Sequence, residues 1–452
     1  MLLAYACNPI EEEITIDQNA KLTFSSDTVI FDTLFSSVSS ITKRLLVFNP
    51  NKNAVNISRL YLGLRNLSEY SIIVNGEESD EVKDELILGN DSLLILINVK
   101  ANPQNQDLPF IVKDSIVFES NGNTEHVKLV SWGQDAIFLN GERIDCNSTW
   151  TAERPYVIYN FALVDTLCRL NVNPGTKIYI DNNASLFVKG SLRLNGTIEN
   201  KIIVRNTRLD RKFDVSPGQW QGIFYLEGSF NNVIEYAVIS NGTTGIRVGT
   251  PDDNTDFDLT IGNTIIEHMS VAGILAFTSD LHAYNTVVYN CGQYIVGNFL
   301  GGNYLYEHCT FSNDPPSFFN DDPSYQFSDN ILLDDNSTLS ADLDIKIVNS
   351  ILWGNKDNEV ALSVSGDRSV TVEIHDNIIR TTDVSYVELG NTISTENNFP
   401  GFYDRFLYDY QIDSLGKARD AGSYIGIDFD ILGNPRDDKP DYGAYERKDS
   451  IP

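Results

Sequence analysis

The chain has 452 residues, with 33 Lys and Arg against 63 Asp and Glu, which gives a formal net charge of −30 at pH 7. Apolar residues make up 42% of the sequence, which excludes global disorder, and the length exceeds one ordinary core, so two or more domains are expected. No apolar run approaches the roughly 20 residues of a membrane-spanning helix, and the negative field repels polyanions, which excludes nucleic acid as a partner.

The N-terminus is Met1-Leu2-Leu3-Ala4-Tyr5-Ala6-Cys7, followed by Glu11, Glu12 and Glu13. It resembles the tail of a bacterial lipoprotein signal that has lost its basic start and most of its apolar core. The acidic residues resemble the export signal of surface lipoproteins in Bacteroidetes-type bacteria. The resemblance implies lipid on Cys7, attachment to the outer membrane and exposure on the cell surface, with residues 1–20 as signal remnant and linker. An ordinary apolar N-terminus with a buried thiol is the alternative.

Residues 21–135 contain seven short runs of strand-forming residues, with Asn-Pro, Asn-Gly and Gly-Asn turns between several of them. The runs are 28–31, 44–48, 55–60, 71–74, 93–97, 115–118 and 126–130. Regular short strands with such turns predict an antiparallel β-sandwich. The run 44–50, followed by Val55-Asn56-Ile57, resembles a strand pair of immunoglobulin-like domains found beside bacterial surface repeats. That resemblance implies an immunoglobulin-like β-sandwich acting as a spacer.

A short motif recurs from residue 236 onwards, in which a small residue is followed by apolar, mostly β-branched residues. The small residues are Ala237, Thr264, Thr286, Thr310, Ser350 and Asn377, with steps of 27, 22, 24, 40 and 27 residues. Such a period without a helical apolar pattern predicts a solenoid, in which strands of successive coils stack roughly 4.8 Å apart. A right-handed parallel β-helix fits best, and a β-sandwich with coincidental spacing is the alternative.

Further motifs flank the repeat. Asn173-Pro174-Gly175 and Pro217-Gly218-Gln219-Trp220-Gln221-Gly222-Ile223 resemble the opening coils of right-handed parallel β-helix repeat proteins. Asp441-Tyr442-Gly443-Ala444-Tyr445-Glu446 resembles the closing segment of bacterial surface β-helix proteins. The resemblance is to Bacteroidetes-type surface lipoproteins of the pectate-lyase-like β-helix superfamily, and it implies a fold rather than an activity. We therefore predict an all-β chain with a β-helix over 136–400 and a C-terminal cap over 401–452, which would shield exposed strand edges.

Two residue types suggest contacts between coils. Asn263, Asn285 and Asn349 are predicted to stack at a coil corner, because Asn tolerates the left-handed conformation and stacked amides can satisfy one another. Cys146 with Cys168, or Cys291 with Cys309, could form disulfides between adjoining coils, as export would permit. Buried free thiols are the favoured interpretation of the second pair.

The sequence offers no recognisable catalytic group, although many β-helix proteins are polysaccharide lyases or hydrolases. The acidic runs lie in predicted loops without a basic partner, so no metal ligand or cofactor is predicted, and Ca²⁺ is the one ion left open. Glu267-His268, Glu307-His308 and His375-Asp376 are adjacent acid–base pairs. The first two have different offsets in the coil and so do not form one column.

A binding face is predicted three residues after each small residue, at the end of the strand, where a side chain can turn outward. These positions are Ser240, Glu267, Tyr289, Asn313, Trp353 and Arg380. The step of 40 residues indicates an insertion between Asn313 and Asp344, and insertions in solenoids often border the binding face. Aromatic rings with nearby polar groups suit sugars. The predicted binding residues are Glu267, Tyr289, Phe318, Phe319, Tyr325 and Trp353. Alternatively, Tyr289 and Trp353 only cover the edge of the core under the insertion.

These observations predict an exported, lipid-anchored surface protein with a non-catalytic, adhesin-like role, which binds a polysaccharide or another surface protein. The alternative is a polysaccharide lyase or glycoside hydrolase on a pectate-lyase-like β-helix. Three carboxylates converging with Lys, Arg or His in one groove would favour the enzyme. A flat stripe of exposed aromatic residues would favour binding.

Overall fold

A computed structural model describes residues 12–249, 256–314, 316–318, 320–334, 337–381, 393–394 and 399–448. The chain divides into two compact units, Met1–Ala136 and Ile137–Pro452. Within these described ranges the regular secondary structure of both units is β-strand, apart from the 3-10 turns Arg65–Leu67, Arg211–Phe213 and Arg405–Leu407. No helix in the described part of the chain is long and apolar enough to cross a membrane.

The first unit consists of two sheets over one core. Its strands are β1 Ile14–Thr15, β2 Thr23–Phe24, β3 Thr28–Phe35, β4 Lys43–Phe48, β5 Ala54–Leu62, β6 Tyr70–Val74, β7 Glu77–Ser79, β8 Glu81–Ile87, β9 Ser92–Val99, β10 Phe110–Ser120 and β11 Asn123–Gln134. One sheet has the order β1-β5-β10-β11-β3 with β8 beside β5, and the other has the order β2-β4-β9-β6-β7. Leu45 and Ile97 of the second sheet share a core with Ile57 and Phe118 of the first. The immunoglobulin-like assignment stays a prediction.

In the described part of the second unit, the main sheet has 25 strands. Its strands, with two short antiparallel pairs, are β12 Ile137–Arg143, β13 Ser148–Trp150, β14 Tyr156–Val164, β15 Arg169–Val172, β16 Lys177–Ile180, β17 Ser185–Val188, β18 Ser191–Asn195, β19 Ile202–Asn206, β20 Gly222–Tyr225, β21 Asn232–Glu235, β22 Ala237–Ser240, β23 Thr244–Gly249, β24 Leu259–Gly262, β25 Ile265–Met269, β26 Ala272–Tyr284, β27 Val287–Cys291, β28 Tyr294–Glu307, β29 Thr310–Ser312, β30 Tyr325–Ser328, β31 Asn330–Leu332, β32 Thr338–Ser340, β33 Leu343–Val348, β34 Ile351–Trp353, β35 Val360–Ser363, β36 Val370–His375, β37 Ile378–Ile379, β38 Ile393–Ser394, β39 Phe402–Asp404 and β40 Asp409–Ile412.

Strand pairing in this sheet is parallel and follows the period of the repeat. From β14 to β23 each strand pairs with the strand three places later, as β17 does with β20 and β20 with β23. This all-β arrangement with a large parallel sheet is consistent with a β-helix of three strands per coil, while its handedness stays a prediction.

The coils present three faces. The first face contains β16, β19, β22, β25, β27, β29, β34 and β37. The second face contains the second half of β14, then β17, β20 and β23, the first halves of β26 and β28, and then β30 and β35. The third face contains β18, β21 and β24, the second halves of β26 and β28, and then β33 and β36.

From β21 onwards, the corner between the third and first faces takes a left-handed residue in each coil. These residues are Tyr236, Asn263, Asn285, His308, Asn349 and Asp376, with φ between 44° and 56°. The Asn285 side-chain amide donates to Asn263 Oδ1 at 3.0 Å, so the predicted stacking is confirmed for this pair. His308 separates Asn285 from Asn349, and Asn349 Nδ2 lies 3.0 Å from His308 Nε2. The column of asparagines therefore includes a histidine that the sequence analysis did not assign to it.

The cysteines resolve the alternatives left open by their spacing. Cys146 and Cys168 form a disulfide across a separation of 22 residues, which joins adjoining coils. Cys291 and Cys309 are free and fully buried.

Residues 399–448, called here the C-terminal segment, lie along the outside of the first face. Asn285 Nδ2 donates to the Phe429 carbonyl at 2.8 Å, and the Ala444 amide donates to Thr310 Oγ1 at 2.9 Å. Further along the coil stack, Asn349 Nδ2 donates to the Ser423 carbonyl at 2.6 Å. The sequence predicted a cap over the open end of the β-helix, whereas these contacts lie along its side.

The C-terminal segment covers an apolar surface. Val287, Tyr289, Ile351, Trp353 and Ile378 of the first face form one buried cluster with Phe402, Tyr410, Ile412, Ala418, Ile431, Tyr442 and Ala444. Strands of the first face are therefore buried on both sides, as is common in parallel sheets. This double burial is the physical reason for the uninterrupted apolar runs in the repeated motif.

A buried ion pair anchors the C-terminal segment. The Arg436 side chain is fully buried and donates to Glu446 Oε2 and Asn285 Oδ1, both at 3.0 Å, and to the Gly443 carbonyl at 2.9 Å. Burial raises the pKa of Glu446 to about 7 and lowers the pKa of Arg436. Loss of either partner would leave the other charge buried without compensation, which is strongly destabilising.

Candidate functional site

The predicted outward column exists on the first face, with one correction. Parallel pairing aligns Ser240, Glu267, Tyr289, Ser312 and Trp353. The sequence analysis placed Asn313 in this column, but Thr310 pairs with Val287 and Ile351 and thereby puts Ser312 there. The register differs because Cys309, not Thr310, aligns with Thr286 and Ser350, the small residues of the neighbouring coils.

Tyr289 and Trp353 in this column lie beneath the C-terminal segment. Tyr289 is 9% exposed and Trp353 is 2% exposed. The Tyr289 ring packs on Tyr408 and Tyr410, with centroids 5.1 and 5.2 Å away, and Trp353 meets the Phe399 ring edge-on at 6.1 Å. Both rings are thus occupied by protein contacts and present no open face to a ligand in this structure. Tyr289 and Trp353 therefore lie at the edge of the core, as the alternative interpretation has it. The C-terminal segment, and not the predicted insertion, packs on them.

Glu267 and His268 do not form an acid–base pair. The Tyr289 hydroxyl donates to the Glu267 carboxylate, and burial raises the pKa of Glu267. His268 Nδ1 accepts from Asn290 Nδ2 at 2.6 Å, and burial lowers the pKa of His268 to about 4. Each side chain is therefore engaged with the next coil rather than with its sequence neighbour.

The predicted aromatic insertion is divided between core and loop. Tyr325 belongs to β30, is fully buried, and its hydroxyl lies 2.8 Å from the carbonyl oxygens of Phe311 and Trp353. Its assignment to the insertion was wrong because β30 is a regular strand of the second face, and the added residues lie at 313–324 and in the β31–β32 hairpin. Phe318 is half-buried in the first of these loops. Phe319 and Cys7, the predicted lipidation site, lie outside the described residues.

The second face carries outward aromatic side chains. We define the aromatic stripe as Phe161, Phe187, Phe224, Arg247, Phe277 and Phe299, which come from β14, β17, β20, β23, β26 and β28. Phe161 is 36% exposed, Arg247 is exposed, and the other four are half-buried. The stripe contains none of the predicted binding residues. A sequence signal exists only at Phe187 and Phe224, each of which lies between two inward apolar residues.

Each member of the aromatic stripe packs on a member from a neighbouring coil. Phe187 lies 6.3 Å from Phe161 and stacks on Phe224 at 5.5 Å. The Arg247 guanidinium carbon lies 5.1 Å from the Phe277 centroid, and Phe277 lies 5.7 Å from Phe299. Arg247 aligns with Phe224 in the register of β20 and β23. The stripe therefore consists of two packed groups, Phe161–Phe187–Phe224 and Arg247–Phe277–Phe299, which lie on neighbouring strands.

Gly297 leaves room for the Phe299 ring to pack against the backbone. A Cβ on Gly297 would lie 2.6 Å from Phe299 Cε2 and 3.0 Å from Leu275 Cδ2, so a larger residue would displace the ring. The Phe299 ring consequently lies close over the backbone of its own strand. Tyr294 meets the Phe299 ring edge-on at 5.5 Å and brings a hydroxyl to the end of the stripe.

The third face carries a polar cluster centred on β26. His282 Nε2 lies 2.8 Å from Glu307 Oε2, and the Tyr284 hydroxyl donates to Glu235 Oε2 at 2.8 Å. The His282 and Glu307 side chains are 21% and 19% exposed. Glu307 thus pairs with His282 in the preceding coil, while its sequence neighbour His308 is buried at the corner.

Gly262 makes the contact between Tyr284 and Glu235 possible. The two residues belong to coils on either side of Gly262, and a Cβ at that position would collide with both side chains. Burial raises the pKa of Tyr284, and the neighbouring Glu235 carboxylate raises it further. The phenol therefore stays protonated and serves as a hydrogen-bond donor.

The two carboxylates of this cluster approach β26 from opposite sides. The backbones of Glu235 and Glu307 are three strand spacings apart, about 14 Å, whereas glycosidase carboxyl groups lie about 5–9.5 Å apart. Both side chains lean towards β26 and so towards each other. Within the described residues, no group of three or more His, Cys, Asp or Glu side chains could hold a metal ion, so the calcium option gains no ligand set there.

The fold and these surfaces define an all-β protein with a large parallel sheet, an outward aromatic stripe and a separate polar cluster. No protein-family model and no curated protein matches the chain. Among solved structures, the catalytic unit of a thermostable GH87 α-1,3-glucanase from Streptomyces thermodiastaticus is 9% identical, with 75% of this chain and 74% of that chain covered and a TM-score of 0.33.

Two other solved structures show similar or lower scores. The complex of XylC with xylose is 11% identical, covers 92% of this chain and 89% of its own, and has a TM-score of 0.29. The ASH/PapD-like domain of human CEP192 is 11% identical, covers 30% of this chain and 96% of its own, and has a TM-score of 0.18. At these scores no activity is transferred from these proteins to this chain.

Proposed function

We propose that the chain is an exported cell-surface protein that binds a glycan on the aromatic stripe without cleaving it. The observation that carries the proposal is the row of partly exposed rings on the second face, with Arg247 between Phe224 and Phe277. Aromatic faces suit sugar rings because the C–H face of a sugar is apolar while its hydroxyls need polar partners. The Arg247 guanidinium and the Tyr294 hydroxyl lie beside the rings and can supply hydrogen bonds.

Export is supported by the disulfide between Cys146 and Cys168, since disulfides form and persist in oxidising compartments. Lipid on Cys7 and attachment to the bacterial outer membrane are part of the proposal and rest on the resemblance of the N-terminus to a lipoprotein signal. In this arrangement the N-terminal unit, proposed to be immunoglobulin-like, acts as a spacer between membrane and β-helix. The alternative is that the chain binds another surface protein instead of a polysaccharide.

The binding proposal is tested with a glycan array on the protein lacking residues 1–11, a deletion that leaves β1 in place. The variant Phe187→Ala/Phe224→Ala should lose about tenfold or more in affinity for the glycans found, since a buried aromatic contact contributes more than about 1 kcal/mol. The matched control is Tyr403→Ala/Phe406→Ala, which removes rings that are 72% and 68% exposed on the C-terminal segment.

The control should keep full affinity. Unfolding of each variant is measured in parallel, because a folded Phe187→Ala/Phe224→Ala protein with unchanged affinity would show that the stripe is not the binding surface. If no glycan on the array binds and a pull-down recovers a surface protein, the surface-protein alternative replaces glycan binding.

A second function, cleavage of a polysaccharide, is favoured by the convergence of Glu235 and Glu307 on β26. A carboxylate paired with an imidazole, together with a protonated phenol, can exchange protons with a substrate. The same glycans are therefore checked for cleavage products, before and after the substitutions Glu307→Gln and His282→Ala. If the wild type forms cleavage products and these variants do not, the protein is an enzyme and the purely binding function is wrong.

A further inference from the structure

Building on the proposed glycan binding, we infer that the ligand is a neutral polysaccharide that lies extended along the axis of the coil stack, with about one sugar unit per coil. The inference concerns the class of glycan and its direction on the surface. It rests on the spacing of the aromatic stripe and on the charge of the chain.

The spacing of the stripe sets the direction. Its six members come from six successive strands of the second face, one per coil. Strands lie roughly 4.8 Å apart, so the stripe extends about 24 Å along the axis. A pyranose unit advances an extended chain by nearly one strand spacing, and successive sugar rings can therefore meet successive members of the stripe. A ligand that crossed the strands at right angles would meet a single coil.

The stripe runs obliquely across the strands. Phe187 aligns with Phe224 and Arg247, whereas Phe277 and Phe299 are displaced by two residues towards the strand ends. Phe161 is displaced by two residues in the opposite direction, because it aligns with Ser185. The stripe therefore crosses the face in two steps, and an extended chain lying on it would run slightly oblique to the axis.

Charge selects a neutral ligand. The formal net charge of the chain is −30, and its field repels a polyanion such as a polyuronate. Arg247 lies in the stripe with its guanidinium over the Phe277 ring. Its planar donors suit sugar hydroxyls, and its one positive charge is small against the charge of the whole chain.

The test uses cello-, manno- and xylo-oligosaccharides of two to eight units, with oligogalacturonates of the same lengths as acidic probes, in calorimetric titrations of the protein lacking residues 1–11. Affinity for one neutral series should rise with each added unit up to about six units and then level off. The substitution Phe161→Ala, at one end of the stripe, should weaken binding of the hexasaccharide several-fold while a trisaccharide binds as before. Phe224→Ala, in the interior, should weaken both.

The outcomes separate this inference from the function on which it rests. Affinity that levels off at two or three units, but is still lost in Phe224→Ala, would overturn the axial arrangement and leave glycan binding in place. Oligogalacturonates that bind as tightly as the neutral series, or no binding by any neutral series, would overturn the neutral class. Glycan binding that is unchanged in Phe187→Ala/Phe224→Ala would overturn the proposed function itself.

Discussion

His308 occupies a corner position that asparagine fills in neighbouring coils. It is 1% exposed, has a φ of 48°, and lies between Asn285 and Asn349. Burial, together with the positive charge of Arg436, lowers the pKa of His308 to about 2. The imidazole is therefore neutral in the folded protein, whereas in the unfolded chain it titrates near its usual pKa of about 6.5.

This difference predicts acid sensitivity. A histidine with a lowered folded pKa stabilises the fold fully above about pH 6.5, and that stability is lost as the pH falls towards the folded value. Between pH 7.5 and pH 5 the loss from His308 is about 2 kcal/mol. The substitution His308→Asn, which suits a left-handed corner, should remove this part of the pH dependence in denaturant unfolding.

The comparison variant is His375→Asn, at a half-buried histidine of the third face. It should retain the wild-type loss between the two pH values. Glu446 acts in the opposite sense, because its pKa is raised to about 7 and its contribution to stability is lost as the pH rises through 7. The pH dependence of each variant is therefore compared with that of the wild type, so that the effect of Glu446 cancels. Equal pH slopes in His308→Asn and the wild type would contradict the assignment.

Single residues also show where sequence-based prediction stopped. The left-handed corner was predictable from Asn263 and Asn285, because asparagine tolerates that conformation. The register at Thr310 was off by one because Cys309 and Thr310 are both small and precede the same apolar residues. Glu307 and His308 looked like an acid–base pair, but adjacent residues at the end of a strand take different directions, one outward and one into the corner.

At the scale of elements, the C-terminal segment completes the first face. Tyr410 is 1% exposed and packs on Phe402 and Tyr289, with centroids 4.9 and 5.2 Å away. Its hydroxyl donates to the Asp314 carbonyl at 3.2 Å. The substitution Tyr410→Ala should therefore lower the free energy of unfolding by about 3–5 kcal/mol, because it leaves a cavity beneath the segment.

Tyr403 provides a matched comparison in the same segment. It is 72% exposed in β39, so Tyr403→Ala should change stability by no more than about 0.5 kcal/mol. Denaturant titrations of both variants give the two values directly. A similar small change in both would mean that the C-terminal segment is not held by the apolar cluster.

The repeated apolar motif allowed the strands of the first face to be predicted, but not what covers them. Val287 and Ile351 point outward and are buried only because the C-terminal segment, about a hundred residues later in the chain, packs on them. A local pattern cannot reveal such a distant partner. The same limit applied to Tyr325, whose strand β30 was taken for part of an insertion because the step between motifs was long.

At the scale of the whole molecule, each coil of a solenoid contacts only its neighbours, so stability is distributed along the axis. The Cys146–Cys168 disulfide joins the loops after β12 and β14, at the beginning of the coil stack. Its removal in Cys146→Ser/Cys168→Ser should cost up to about 3 kcal/mol. The cost should be local, so amide exchange should accelerate in β13 and β15 while β27 and β34 keep the wild-type rates.

Hydrogen exchange followed by mass spectrometry measures this distribution. Wild-type protein treated with a reductant should show the same pattern as the double variant, which separates loss of the bond from effects of the serines. Equal acceleration in all coils would contradict independent coils, and no acceleration anywhere would show that the disulfide contributes little to the first coils.

The corner of left-handed residues has a consequence for how this scaffold can change. From β21 to β37 it holds only one or two residues between successive strands, with one left-handed residue in each coil. The other two corners accommodate the segment 313–324 and the β31–β32 hairpin. Added residues at the short corner would displace the coils from the C-terminal segment, whereas grafted loops at the other corners leave the strand register intact. Both of these permissive corners border the second face, so new specificities can be built, by selection or by design, around the stripe without rebuilding the stack that holds it.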